Sequence, residues 1–265
     1  MHAIGSEYVP QNVHSTSDAP QDWVAFWNRP NAIYANRRNL EAHFACLMRD
    51  LETYLPEGGA VLDFGCGDAL AAEAMAARCG TLYLYDAAPA VRERLLERFR
   101  DHPRIKVLDE EGLGALPAGG IDLILAVSVL QYIPREDLRG VLDRWRGLLR
   151  PEGHALIADV VDPNTPMLQD IASQLRMAHQ HGFLLAALLG LGRLAFSDYR
   201  RIRREAGFSA YTPAELMDVL ESAGLSAAPL PRNVGPTPHR RSFLARPSNR
   251  NATAQSAEGP ALKVQ

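Results

Sequence analysis

The chain is short of sulfur, of aromatic rings and of net charge. Its 265 residues include three cysteines, Cys46, Cys66 and Cys79, an odd number without paired spacing. That excludes a disulfide framework and a zinc knuckle. Aromatic residues are 7% of the chain, and 28 Lys+Arg against 31 Asp+Glu leave a formal charge of −3. The basic excess of a nucleic-acid-binding domain is missing, so nucleic acid is not an expected partner. The first 22 residues are polar and carry no apolar core segment of the kind a secretory signal needs. The longest apolar run, Phe183–Gly192, meets Arg193 at once. It is about half of the ~20 residues that a membrane-spanning helix requires. No internal repeat is visible, and no His/Cys/carboxylate cluster has metal-ligand spacing, so no metal is expected. A soluble protein of the reducing cytoplasm is the expectation.

Apolar residues make up 47% of the chain, ample for a buried core. Residues 1–20 and 248–265 are polar with few large apolar groups and are expected to be disordered, leaving one domain over 21–247. Within it, short apolar runs alternate with amphipathic segments. Strands are expected at Ala60–Phe64, Thr81–Tyr85, Ile105–Leu108, Ile121–Val127, Ala155–Val160, Leu225–Leu230 and Ser242–Ala245. Helices are expected at Leu70–Ala77, Ala90–Phe99, Glu136–Leu149 and Pro213–Ala223. The last has Thr212 as N-cap, Pro213 at the first helical position, Glu215 to complete a capping box, and Gly224 as stop. This alternation predicts an α/β fold with a Rossmann-like, doubly wound, mostly parallel sheet of seven strands. Only Pro231–Arg241 joins the sixth and seventh strands, too short for a helical crossover. The last strand should therefore run antiparallel. Residues 163–209 and a helix over Arg37–Tyr54 fall outside the alternation, and both are placed as a helical cap over the ligand crevice.

The segment from Ala60 to Ala69 reads Ala-Val-Leu-Asp-Phe-Gly-Cys-Gly-Asp-Ala, a buried strand entering a glycine turn. Gly65 and Gly67 allow a sharp turn and let a ligand approach bare backbone. Asp86 closes the second strand 19 residues after Gly67. That is near the ~20 expected of a carboxylate that grips ribose hydroxyls. A dinucleotide site also needs a third glycine where this chain has Leu70, and Asp68 stands at the expected helix start. With Asp63 before the turn, the negative charge repels a pyrophosphate and favours a cofactor bearing an ammonium and a sulfonium. The pattern selects S-adenosylmethionine over NAD.

Val61-Leu-Asp-Phe-Gly-Cys-Gly67 resembles the first motif of the class I S-adenosylmethionine-dependent methyltransferases, in their small-molecule type. Leu84-Tyr-Asp86 is similar to their second motif and Val107-Leu-Asp109 to their third. The stretch from Gly120 to Pro134 and the turn Leu149-Arg-Pro-Glu-Gly153 resemble the fourth-strand region and the approach to the fifth. The resemblance implies that Gly65, Cys66 and Gly67 form the loop around the methionine portion and that Asp63 orients its ammonium. It implies that Asp86 bonds the ribose, that Asp109 and Glu110 meet the adenine, and that Ser128 lies near the methyl group. It also places the seventh strand inside the sheet.

On the acceptor side, position alone nominates Gln131, Tyr132, Asp159 and His239 as catalytic candidates. Tyr34, Gln131 and Asn233 are nominated as substrate contacts, with Trp27 and Asn36 closing over the methionine end. Methyl transfer needs chiefly alignment, since the leaving group is built into the cofactor. Cys66 is read as a small turn residue, and Asp122 as a partner at the start of the fourth strand, remote from the crevice. The fourth strand ends in Ser128-Val-Leu-Gln-Tyr132 rather than the two prolines and aromatic residue of base-methylating enzymes. The expected acceptor is a small, lipophilic or natural-product-like molecule. A non-catalytic S-adenosylmethionine-binding module and an NAD-linked oxidoreductase are the alternatives. The cluster Arg200–Arg204 and the stretch 182–191 read as a solvated helix face and a cap helix, and peripheral membrane contact is not expected.

Overall fold

A computed structural model describes residues 23–28, 37–180 and 208–248. Its elements follow in chain order as α1 (Trp23–Trp27), α2 (Arg37–Leu51), β1 (Ala60–Phe64), α3 (Ala72–Ala76), β2 (Thr81–Tyr85), α4 (Pro89–Phe99), β3 (Ile105–Leu108), α5 (Glu110–Gly114) and β4 (Ile121–Val127). A 3-10 turn (Leu130–Tyr132), α6 (Arg135–Leu148), β5 (Leu149–Val160), α7 (Met167–Gln180), α8 (Pro213–Ser222), β6 (Leu225–Pro229) and β7 (Arg241–Pro247) complete it. The strands form one sheet in the order β3-β2-β1-β4-β5-β7-β6. Strands β1 to β5 pair in parallel, and β7 runs antiparallel between β5 and β6. The expected α/β fold and the interior place of the seventh strand are what the chain adopts.

Side-chain alternation explains why the sheet is covered on both faces. Val61, Leu82, Leu84, Leu123, Leu125 and Leu156 enter one core with Leu47 and Leu51 of α2, Met75 of α3, and Val91 and Leu95 of α4. Their neighbours Leu62, Ile124, Ala126, Ala155 and Ile157 enter the other, with Leu113 of α5, Leu142 and Trp145 of α6, and Leu216 and Leu220 of α8. Successive strand residues point to opposite faces. A continuous apolar run is therefore what a strand buried on both sides requires. Each fully buried Leu or Ile contributes on the order of 1.5–3 kcal/mol. At α8 the Thr212 side chain accepts from Glu215 N, and Glu215 reaches back to Thr212 N at 2.8 Å, forming the expected capping box.

Three expectations are corrected. Helix α3 starts at Ala72, not Leu70, because Ala69 takes a left-handed backbone (φ 44°) that ends any earlier helical path. Asp68 therefore lies in the turn and not at a helix start. Strand β5 begins at Leu149, where a turn was expected, and its register against β4 shifts between Ile121 and Leu123. The short elements α1, α5 and the 3-10 turn had no periodic signal. Tyr34, Asn36, the stretch 182–191, the cluster Arg200–Arg204 and residues 1–20 lie outside the described residues, as do 249–265. No helix among the described residues is long and apolar enough to cross a membrane.

Phe243 of β7 is 1% exposed and is in register with Ile157 on one side and Pro229 on the other. Phe243→Ala should lower stability by about 3–5 kcal/mol, read as a lower urea midpoint.

Candidate functional site

The carboxyl ends of β1, β2, β4 and β5 converge, and every cofactor-side residue of the sequence reading except the β3-end pair Asp109 and Glu110 lies there. The turn after β1 is anchored from β2. Gly65 N donates to Tyr85 O at 2.7 Å and Cys66 N to the same oxygen at 3.1 Å. Gly65 has φ 74°, and a β-carbon on it would lie 2.5 Å from Val129 Cγ2. The glycine turn thus lies directly against the chain that follows β4. Gly67 also has a left-handed backbone (φ 53°), but a β-carbon there would meet nothing within 4 Å. One glycine is required by packing, and the other borders open space.

Asp86 ties this turn to α4. Its Oδ2 accepts from Gly67 N at 3.0 Å and its Oδ1 from Ala88 N at 2.9 Å. Burial raises its pKa, and the two N–H donors and Arg92 offset part of that rise. Each carboxylate oxygen keeps a further lone pair for a ligand hydroxyl. Asp63, at the end of β1, has no hydrogen-bonding or ion-pair partner among the described residues. Its side chain is enclosed by protein although the residue still reaches solvent. Burial first, and the charge of Asp86 second, push its carboxyl up to about 7. An enclosed acid without a partner is costly unless a cation joins it. The Cys66 thiol lies 3.8 Å from Gly67 O, and burial with the Asp63 and Asp86 charges pushes it far up. It stays a thiol and a turn residue, not a nucleophile.

The structure gives Asp109 and Glu110 other duties. Asp109 caps α5 by accepting from Gly112 N at 2.8 Å. Glu110 accepts from the Tyr85 hydroxyl and pairs with Arg144 at 3.2 Å, so both its oxygens are engaged. A base bound at this end of β3 would meet the backbone and Asp109 rather than the Glu110 carboxylate. Asp122 accepts from Ala60 N at 2.7 Å and from Arg150 at 2.7 Å, at the opposite end of the strands.

On the acceptor side, Ser128 (φ 55°) and Asp159 (φ 60°) both have left-handed backbones at the ends of β4 and β5. Ser128 Oγ donates to Asp159 Oδ2 at 2.6 Å, and Arg240 Nη1 donates to the same oxygen at 2.8 Å. Asn233 Nδ2 donates to Asp159 Oδ1 and to Thr237 O, while its Oδ1 accepts from Asp159 N and Ser242 Oγ. All four hydrogen-bonding positions of the Asn233 amide are thus taken inside the protein. It is a bracket for Asp159, not a substrate contact. Asp159 in turn is an ion-pair anchor, with one oxygen shared by Arg240 and Ser128 and the other held by Asn233. His239 Nδ1 lies 3.2 Å from Ser173 Oγ and links the β6–β7 connection to α7.

Gln131 is 5% exposed. Its Nε2 donates to Ser128 O at 2.7 Å, and its Oε1 is buried without a partner among the described residues. An unmade bond of that kind costs about 1–3 kcal/mol. Tyr132 meets Trp23 at a tilt (4.8 Å) and Trp27 (5.6 Å) and Phe208 (6.0 Å) edge to face. Asn28, just past α1, accepts from Ala90 N at 2.9 Å. Helix α1 therefore bridges the ends of β4 and β2. Sequence reasoning marked Trp27 but missed Arg240, Asn28 and Trp23, because each acts on residues far away in the chain.

A family model described as a methyltransferase domain matches residues 34–228. The chain belongs to that family. The chain resembles an uncharacterized methyltransferase of Mycobacterium tuberculosis, 34% identical over 128 residues, 48% of this chain and 62% of that one. A ubiquinone biosynthesis O-methyltransferase of Xanthomonas axonopodis is 27% identical over 173 residues, 64% of each chain. The chain thus spans less than two thirds of the length of these curated relatives. By fold it is similar to the N-methyltransferase NodS of Bradyrhizobium japonicum in complex with S-adenosylhomocysteine, with TM-score 0.51 and 18% identity over 86% of this chain and 97% of that one. The family's cofactor is S-adenosylmethionine. The residues present fit it: open space at Gly67, an unpaired acid at Asp63, and spare lone pairs on Asp86.

Gly65→Ala should fail to fold stably. Gly67→Ala should fold, losing about 1–2 kcal/mol to backbone strain, and should lose binding of S-adenosylhomocysteine in calorimetry. For Asp63 the folded state holds its proton more tightly than the unfolded state. Ligand-free stability should therefore fall as pH rises from 4 to 7, and Asp63→Asn should flatten that slope. Because only the ionised acid attracts the ligand's ammonium, affinity should rise about tenfold from pH 6 to pH 8 in the wild type alone.

Proposed function

We propose that this methyltransferase moves a methyl group from S-adenosylmethionine to a small, lipophilic or natural-product-like acceptor in the cytoplasm. The observation that carries the cofactor half is the unpaired Asp63 beside a glycine turn pinned by Asp86. An ammonium is the partner that such an acid lacks, and ribose hydroxyls suit the spare lone pairs of Asp86. The Xanthomonas relative, named for ubiquinone biosynthesis, supports a small lipophilic acceptor. The aromatic cluster of Trp23, Trp27, Tyr132 and Phe208 beside the end of β4 supports it too. The three free cysteines suit a reducing compartment.

In this reading Gly65, Cys66 and Gly67 border the methionine portion, Asp63 holds its ammonium, and Asp109 faces the adenine. Ser128 lines the crevice near the methyl group. When bound, the cofactor supplies an electrophilic methyl and its own leaving group. The chain's task is then alignment in a dry pocket, which is worth on the order of 7–11 kcal/mol for well-oriented reactants. Helix α1 excludes water by joining the β2 and β4 ends. Arg240 and Asn233 fix Asp159, which fixes Ser128.

Thermal unfolding with S-adenosylhomocysteine, with NADH and without ligand tests the cofactor. S-adenosylhomocysteine should raise the midpoint and NADH should not, and Asp86→Asn should abolish the rise. Transfer of labelled methyl from S-adenosylmethionine into fractionated cell extract then tests turnover. Binding without transfer into any fraction would leave a cofactor-binding module in place of an enzyme.

A further inference from the structure

The carboxylate that closes β2 is held from two sides, and the glycine turn is only one of them. Beyond Asp86 the chain enters α4, and Arg92 reaches back from that helix onto it. Its Nη1 donates to Asp86 O at 2.7 Å and to Ala87 O at 3.0 Å. Ala87 O and Ala88 N belong to one planar, trans peptide unit, so they point in opposite directions. Arg92 therefore holds the oxygen end of the unit whose N–H end meets Asp86 Oδ1 at 2.9 Å. Were that unit to turn over, Asp86 would face an oxygen in place of a donor. The guanidinium thus fixes the direction from which Oδ1 is gripped, and with it the aim of Oδ2 at Gly67 N.

Arg92 stands where helix formation alone would not put it. It is half-buried one turn into α4, a helix with no acid in its first turn and no side-chain bond from its N-cap, Ala88. A cation near the amino end of a helix opposes its dipole. A local preference broken beside a site marks a demand of that site. A positive group does not attract a cationic cofactor, so its service is to the acid.

We propose that Arg92 is a positioning residue for cofactor binding, setting the Asp86 carboxylate in place for the ribose hydroxyls through the 87–88 peptide unit. This rests on the reading of Asp86 as the ribose acceptor and deepens it. Charge acts alongside geometry. Burial raises the Asp86 pKa, the N–H groups of Ala88 and Gly67 and then Arg92 lower it, and Asp68 raises it. Asp63 of β1 and the Cys66 thiol also lie against this acid, and Asn28, reaching α4 from α1, is uncharged. An ionised Asp86 offers lone pairs only, which suits a pair of hydroxyls.

The test is calorimetry of S-adenosylhomocysteine binding to the full chain, its Arg92→Met and Arg92→Lys variants, and Asp86→Asn, from pH 5 to pH 8. Arg92→Met removes both bonds and the charge, and should weaken binding about tenfold at pH 8. Without the guanidinium Asp86 takes up a proton at higher pH, so this loss relative to wild type should widen by about threefold at pH 5. Asp63 titrates in both proteins and cancels from the ratio. Arg92→Lys keeps the charge and a donor, and should recover most of the affinity and the wild-type pH course. If Arg92→Met does not fold, Arg92→Gln replaces it, with donors but no charge, and the same widening is expected. Unchanged binding without the guanidinium, a loss that does not widen in acid, or one that lysine does not recover each overturns the proposal. Asp86→Asn separates the two readings. If it binds as the wild type does, the ribose role of Asp86 falls and this inference with it. If it loses binding while the Arg92 variants do not, this inference alone falls.

Discussion

The Asp86 carboxylate is the interaction on which the site depends. It draws Gly67 N from the turn after β1 and Ala88 N from the approach to α4 onto one group at the end of β2. Two backbone segments, each also anchored separately, are thereby joined into one geometry. Burial costs this acid some of its acidity, and the two donors return part of it. The sheet beneath supplies rigidity: β1 is paired on both sides, with β2 and with β4. A loop this close to a ligand is positioned by the stiffest part of the molecule, as preorganised binding requires.

Charge is divided along the crevice. At the β1–β2 end two acids stand together, one without a partner, and a cation is the complement. At the β4–β5 end the buried acid Asp159 is already paired with Arg240. The same residue type therefore serves opposite purposes 96 positions apart (Asp63 and Asp159): attraction at one end, scaffolding at the other. The left-handed Ser128 and Asp159, both non-glycine, hold backbone strain at the ends of β4 and β5 and not in the helices.

Much of this was legible in the residues. The strands stand out because burial on two faces demands unbroken apolar runs, as in Ile121–Val127, and the short link 231–241 forces β7 to be antiparallel. The glycine spacing and Asp86 placed the turn correctly. What escaped notice depends on distant partners. Asp159 reads as a free acid until Arg240 is folded onto it from 81 positions away. Glu110 reads as a ligand residue until Tyr85 and Arg144 engage it. Asn28 completes the start of α4 from 62 positions upstream, in a segment with no periodicity to mark it. The beginning of β5 was hidden because Leu149-Arg-Pro-Glu-Gly153 has the composition of a turn.

The place of β7 has a consequence for how the molecule comes into being. It lies between β5 and β6 yet leaves the ribosome after both. Until it arrives, β5 exposes an apolar edge, with Leu156 and Ile157 lacking half of their ladder. Such an unpaired edge is a template for association with other nascent chains. Closure of this sheet must therefore wait for that insertion, a non-local pairing of the slow kind.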